Sequence, residues 1–419
     1  MKVFKIAISL ASIFVAMSIV QAQQAKTFNF PYGNFGIDYL TRTIEQENQK
    51  LSDETGVSFS YDYYADAYTN VSGGERKGAN YTHIMIFGAD VDFNKILGIK
   101  GGSFHISGAY NSGSDLSKKI GNFFSISESA VTRGWMFYEF YYSQKVDLPW
   151  GDSITVQAGR MSMSDNFASL PVFGYLGGGA MDSTAEAIFY ASPFTSSTLA
   201  SWGFAVNYQT SYDLTFSYGL YQAPSNINSS NWDGLDWGIS NDDGYMMLFQ
   251  VQWSPTFCGN LSGVYQAGGY FFDGYSMPYL NNSPFSRDDG YGFYLQGQQM
   301  VWVDKNNPSK NITLWCGAEY APTTKISAIE WQAYAGAQFS GFIPSREQDS
   351  IFVSWTSGFF SDDYNSGKSD CETVFEVNYL WQVNSCISIQ PVIQYVLRPN
   401  GVSDIDDAFV LGGQVMVSF

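Results

Sequence analysis

The last twelve residues of the chain alternate to the end. Phe409, Leu411, Gly413, Val415, Val417 and Phe419 fall on one face of an extended backbone, and Ala408, Val410, Gly412, Gln414, Met416 and Ser418 on the other. An apolar face of period two, closed by a terminal aromatic ring, fits a strand with lipid on one side and its last ring at the membrane interface. A strand of this kind is only useful in a closed barrel, so the rest of the chain must supply enough partners to close one.

The N-terminus points to export. Lys2 and Lys5 precede an apolar stretch from Ile6 to Val20, and Val20-Gln21-Ala22 reads as a cleavage site. Residues 1–22 are read as a signal peptide, 23–55 as a periplasmic, plug-like segment and 56–419 as the barrel. Aromatic residues make up 17% and charged residues 14%, with 41 glycines. Aromatic girdles, glycine kinks and sparse charge suit strands in lipid. The net charge of −18, or −20 once Lys2 and Lys5 are removed, disfavours nucleic acid as a partner. Cys258, Cys316, Cys371 and Cys386 lack metal-ligand spacing and read as unpaired or intermolecular thiols; no metal or other cofactor is expected.

Strand patterns recur near 56–68, 80–92, 103–111, 132–147, 153–160, 200–209, 212–222, 243–254, 259–272, 290–303, 311–321, 328–340, 349–360, 371–383, 386–398 and 408–419. This is about sixteen, an even number, as both ends of a single-chain barrel meeting in the periplasm require. From the fourth strand on, short connections such as Thr210-Ser211 and Asn384-Ser385 alternate with long ones such as 161–199 and 223–242. Short periplasmic turns and long outer loops give that rhythm. The fold class is therefore an all-β transmembrane antiparallel barrel of about sixteen strands.

Alternation also assigns faces. Phe375, Val377 and Trp381 oppose Glu376 and Asn378. Tyr245, Phe249 and Trp253 oppose Gln250 and Gln252. Ile329, Trp331 and Phe339 oppose Glu330, Gln332 and Tyr334. Charge on a lipid face costs about 2–4 kcal/mol per Lys or Arg at midplane, so the polar sets face a wet lumen. Candidate solute-binding residues there are Glu139, Gln157, Gln250, Gln252, Gln296, Gln298, Glu330, Gln332, Glu376 and Gln394, with Gln266, Gln338, Gln390 and Glu319 beside them. Amides and carboxylates among Tyr and Trp suit a sugar, which offers hydroxyls and an apolar ring face; a wet lumen needs polar walls in any case. The longest connection, Met161 to Leu199, reads as a loop folded inward to constrict the pore, with Arg160 near the eyelet, or else as a surface loop with Arg160 as its cap.

Several segments carry a family likeness. Leu97-Gly-Ile-Lys-Gly-Gly-Ser-Phe-His105, Ala158-Gly-Arg-Met-Ser-Met-Ser-Asp-Asn-Phe167, Tyr291-Gly-Phe-Tyr-Leu-Gln-Gly-Gln-Gln-Met300, Gly341-Phe-Ile-Pro-Ser-Arg-Glu-Gln-Asp349 and Gln390-Pro-Val-Ile-Gln-Tyr-Val-Leu-Arg-Pro399 resemble, in order, segments of the carbohydrate-selective porins, the OprB family. The resemblance implies a sixteen-stranded outer-membrane barrel passing glucose-like sugars by passive diffusion. The chain departs from the family pattern at Asn34 to Tyr39, and its arginines are few.

The reading is thus an outer-membrane porin for small neutral sugars, with ions and other small solutes, in contact with outer-membrane lipid, as a monomer or homo-oligomer. The alternatives are a general cation-preferring porin and a structural or adhesive barrel. With only His83 and His105, and no nucleophile motif, an enzyme is not expected.

Overall fold

The computed structural model describes residues 35–129, 134–181, 183–227, 229, 232–240, 243–280, 284–365 and 371–419. The expected signal peptide lies outside these residues, as does the start of the 23–55 segment.

Helix α1 (Phe35–Thr55) leads into sixteen strands: β1 (Val57–Ser72), β2 (Gly78–Asp92), β3 (Gly102–Gly113), β4 (Gly134–Asp147), β5 (Ser153–Met161), β6 (Ser201–Gln209), β7 (Leu214–Ala223), β8 (Gly244–Trp253), β9 (Leu261–Pro278), β10 (Ser286–Val303), β11 (Asn311–Tyr320), β12 (Ile329–Ser340), β13 (Ser350–Phe360), β14 (Cys371–Gln382), β15 (Ile387–Leu397) and β16 (Ala408–Ser418). Each pairs antiparallel with the next, and β16 pairs with β1, so no edge is left open. At the closure the Phe419 N–H donates to the Tyr61 carbonyl at 3.0 Å, and the two rings stack 6.5 Å apart. The terminal aromatic thus seals the seam.

The alternation fixes what faces lipid. Phe249, Val251, Trp253, Phe375, Val377, Trp381, Ile393 and Tyr395 are exposed on the outside, while Gln250, Glu376, Asn378, Gln390 and Gln394 are buried on the inside. Aromatic pairs mark both rims, with Tyr320 and Trp331 stacked at 4.1 Å on one and Trp253 and Tyr265 at 5.7 Å on the other. Inside, tyrosine rings lie on glycines of the neighbouring strand. A Cβ on Gly292 would fall 2.4 Å from the Tyr270 ring, and one on Gly412 would fall 2.3 Å from the Tyr68 ring.

Two details differ from the sequence pattern. Strands β9 and β10 continue past 272 and before 290, leaving only 279–285 as their loop; the Tyr279 N–H donates to the Phe285 carbonyl at 2.9 Å and Arg287 pairs with Asp289 at 2.9 Å. A bulge beside Ile329 turns that residue inward, where it packs in a buried cluster with Ile120 and Phe124 instead of facing out with Trp331. Strict alternation therefore fails at Ile329 and Glu330.

Arg160 is a correction. It stands on β5 between Gly159 and Met161, on the opposite face from Gln157, so it does not point at the pore axis. It occupies a seam. The β4–β5 pairing begins only at Phe140, and the segment 232–234 of the following outer loop fills the gap above: the Phe137 N–H donates to the Asp233 carbonyl at 2.8 Å. The Arg160 guanidinium is 2% exposed. It donates to the carbonyls of Tyr138 at 3.1 Å and Gly234 at 2.6 Å and lies 5.1 Å from the Trp232 ring centre. Its work is to stitch an outer loop to the wall.

Helix α1 docks on the short-turn rim. Asn48 exchanges two hydrogen bonds with Phe59, at 2.7 and 2.8 Å, and the Cys386 thiol and Ser385 hydroxyl donate to the Glu45 carboxylate at 3.1 and 3.3 Å. Burial pushes the Cys386 thiol up to about 11. None of the four cysteines is in a disulfide.

Two outcomes follow. Arg160→Ala should leave single-channel conductance unchanged, because the side chain is outside the lumen. It should cost about 1–3 kcal/mol in urea unfolding from lipid vesicles, because two carbonyls lose their donor. In a Cys316→Ser/Cys371→Ser background, a polar maleimide should label exposed Cys258 quickly and Cys386 slowly; a Glu45→Ala/Asn48→Ala variant should speed Cys386. Equal rates at both cysteines in the parent would show that α1 does not cover the rim.

Candidate functional site: the lumen

The loop 162–200 lies against the inner wall of more than half the barrel, held by wall side chains that bond its backbone. Gln250 accepts from the Ala168 N–H at 2.9 Å, Gln266 donates to the Ser169 carbonyl at 2.8 Å and Gln298 accepts from the Val172 N–H at 3.0 Å. Gln332 accepts from the Ala187 N–H at 2.7 Å and donates to the Ala180 carbonyl at 2.8 Å. Gln390 donates to the Tyr175 carbonyl at 2.6 Å, and Glu376 accepts from the Gly177 N–H at 2.9 Å. At the loop's root, Glu139 accepts from the Ser162 N–H at 3.0 Å.

The described part of the shorter outer loop, 114–129, is tied in the same way. Glu372 accepts from the Phe123 and Phe124 N–H groups at 2.7 and 2.9 Å, and Gln394 donates to the Ile126 carbonyl at 2.9 Å. Glu186 of the long loop accepts from the Ser125 N–H at 2.9 Å, joining the two loops. A loop segment taken inside a barrel loses water around its peptide groups, and each unmet one costs about 1–3 kcal/mol. Amides supply a donor and an acceptor on one side chain, which is why glutamine recurs on this wall.

Apolar contacts do the rest. Phe167, Ile188 and Phe194 of the loop pack on inward-facing Tyr221, Met246, Leu248, Tyr270 and Phe272. Leu116, Ile120 and Phe124 pack on Val392, Val396 and Val410. The inner wall is thus partly apolar toward the outer end, and it is dry there.

The expected solute-binding residues divide accordingly. Gln250, Gln296, Gln332, Glu376 and Gln394 are buried beneath the loops, each 5% exposed or less. Gln296 is bonded to Gln266 and Tyr334 at 2.6 Å each. Glu139 is buried at the loop's root. Gln157 and Gln252 are half-exposed lower in the lumen, below the loop, and Gln298, which holds Val172, is half-exposed at the loop's edge. Glu330 sits at the bulge on the outer rim.

The uncovered sector is the short-turn half of β1 to β6; above it Tyr68, Asn111 and Glu139 bond the loop at Gly177, Thr198 and Ser162. Its inward register carries Asp62, Tyr64, Asp90, His105, Tyr141, Ser143, Thr155, Gln157 and Asn207, all at least partly exposed. His105 stacks on Tyr141 at 5.2 Å, and its Nδ1 lies 2.8 Å from the Asp90 carboxylate. Most of this set was missed from the sequence, where glutamines drew the eye. The available signal was parity: His105 and Tyr141 stand opposite outward Phe104 and Phe140.

A polar channel sector beside a wall-bound loop, in a closed sixteen-stranded barrel, is the arrangement of a diffusion channel. Comparisons agree. The family model described as "Carbohydrate-selective porin, OprB family" matches residues 76–419. Porin B of Pseudomonas aeruginosa is 24% identical over 414 residues, covering 87% of this chain and 88% of that protein. The putative porin QuiX of Acinetobacter baylyi is 24% identical over 419 residues, covering 89% and 91%. Among solved structures, the high-pH structure of Pseudomonas putida OprB superposes with a TM-score of 0.79 at 21% identity, covering 88% of this chain and 96% of that one. The chain belongs to the carbohydrate-selective porin family, OprB, and is an outer-membrane channel.

Proposed function

We propose that small neutral sugars cross through the β1–β6 sector, that loop 162–200 is the constriction that sizes them, and that the path prefers cations. The observation that carries this is the division of the lumen: one sector is sealed by loop and apolar packing, and the other presents hydroxyls, amides, carboxylates and the Tyr141 face. Such a surface offers a sugar both hydrogen bonds and an apolar plane. Residues 35–55 act as a periplasmic rim element, with α1 beside the mouth; its docking on Ser385, Cys386 and Phe59 supports that role.

Charge supports the ion preference. Asp62 and Asp90 face the open sector, whereas four of the described arginines are occupied elsewhere. Arg160 lies in the wall seam, Arg287 and Arg346 pair with Asp289 and Asp349 at 2.9 and 2.8 Å, and Arg398 bonds Cys371. Lys145, at the short-turn rim, lies 3.7 Å from Asp147. Passive transport fits the placement of His83, which is on the outward register among Tyr63, Tyr81 and Tyr110.

Liposome swelling and reversal potentials test this. Neutral hexoses and hexosamines should permeate, sugar acids should lag, and reversal potentials at low salt should be weakly cation-selective. Asp90→Asn should reduce the cation-to-anion ratio by roughly twofold, the scale of one water-screened charge. Anion selectivity, or sugar acids outpacing neutral sugars, would contradict the reading.

A further inference from the structure

Glu372, the second residue of β14, is buried at the outer end of the wall, and its side chain is shared between two outer loops. Oε1 accepts from the Phe124 N–H at 2.9 Å. Oε2 accepts from the Phe123 N–H at 2.7 Å and from the Asn400 N–H at 2.5 Å. Asn400 belongs to the connection between β15 and β16, and its side chain accepts from the Tyr364 hydroxyl at 2.9 Å. One wall residue thus grips two loops that lie far apart in the chain.

The grip passes on to the long loop. The Phe123 ring lies 4.5 Å from Tyr190, 5.2 Å from Phe360 and 5.7 Å from Tyr364. Next in the chain, Ser125 donates to Glu186 through its N–H at 2.9 Å and its hydroxyl at 2.7 Å. The Tyr190 hydroxyl donates to the same carboxylate at 3.1 Å. Glu186 and Tyr190 belong to loop 162–200 and flank Ala187, whose N–H is held by Gln332. We propose that Glu372 is a positioning residue for permeation. It is buried away from solute, but it fixes segment 123–125, and that segment fixes the 186–190 stretch of loop 162–200. The proposal rests on the reading of that loop as the constriction.

The chemistry allows a sharp substitution. A carboxylate offers acceptor positions on both oxygens, enough for three N–H donors from two directions. The amide of Glu372→Gln has the same shape but one acceptor oxygen, and its NH2 faces donors it cannot satisfy. At least one of the three N–H groups then goes unmet, and one segment lets go without any change in the loops themselves.

Single-channel recordings of the full, refolded protein in planar bilayers, with liposome swelling by a monosaccharide and a disaccharide in parallel, test this. Glu372→Gln should raise the occupancy of partial-conductance levels by roughly fivefold or more, the scale of one lost buried bond. It should also bring the ratio of monosaccharide to disaccharide swelling toward one. Glu372→Asp, which keeps both acceptor oxygens, should restore that ratio in part. Phe123→Leu removes the ring that touches Tyr190 and should act in the same direction as Glu372→Gln. If both act through one segment, the double variant falls short of the sum of the two. A merely structural role would lower the melting temperature and leave conductance levels and the swelling ratio as in the parent. That result, or single effects that add in full, overturns the positioning role while the constriction reading stands. A swelling ratio that also ignores replacement of residues 166–196 overturns the constriction reading itself.

Discussion

Every peptide group brought inside the barrel must find a hydrogen-bond partner, and the rest of the lumen is arranged around that need. The loop 162–200 enters a space with little room for water on its wall side. Gln250, Gln266, Gln298, Gln332, Gln390, Glu139 and Glu376 bond its backbone along the way. Each bond is worth about 1 kcal/mol net, more where a carboxylate accepts, and each missing one would cost more than that. The apolar contacts of Phe167, Ile188 and Phe194 then close the gaps between the bonded points. Wall chemistry that looks like a solute-binding surface is in large part the scaffold for the loop.

That division gives the channel its asymmetry. Where the loop is bound, the wall is dry and tyrosines lie on glycines such as Gly292 and Gly412, filling space that a wider lumen would leave to water. In the short-turn half of β1 to β6 the wall stays open, and its residues are polar, among them Asp62, Asp90, His105, Ser143, Thr155 and Gln157. On the proposed reading, the path for solute is what the loop leaves uncovered.

The barrel was legible in the sequence because period two is a direct consequence of strand geometry, and lipid punishes any lapse on the outer face. Strand number and face assignment follow from it, while the family likeness rests on quoted segments such as Gln390 to Pro399. The lapses came where a local event breaks the period. A bulge turns Ile329 inward, and the early end of the β4–β5 pairing puts Arg160 in a seam that no spacing announces. The glutamines were rightly placed inside, but alternation cannot tell an amide facing solute from one facing a folded-in loop. That depends on contacts more than a hundred residues apart, such as Gln332 with Ala187 or Glu376 with Gly177. Asp90, His105 and Tyr141 were passed over for the converse reason: single polar residues on early strands look unremarkable until the loop's position shows that they remain open.

The central claim is that the loop, held by wall amides and carboxylates, sets the size of the path. The most direct test is single-channel conductance, with sugar permeation in parallel, of a barrel in which residues 166–196 are replaced by a short flexible linker while β5 and β6 are kept. The account predicts a several-fold larger conductance and permeation of oligosaccharides that the intact channel excludes, because a sixteen-stranded lumen without a filler is a wide aqueous pore. An inserted, heat-modifiable barrel with unchanged conductance and unchanged sugar discrimination would contradict it and assign selectivity to the wall alone.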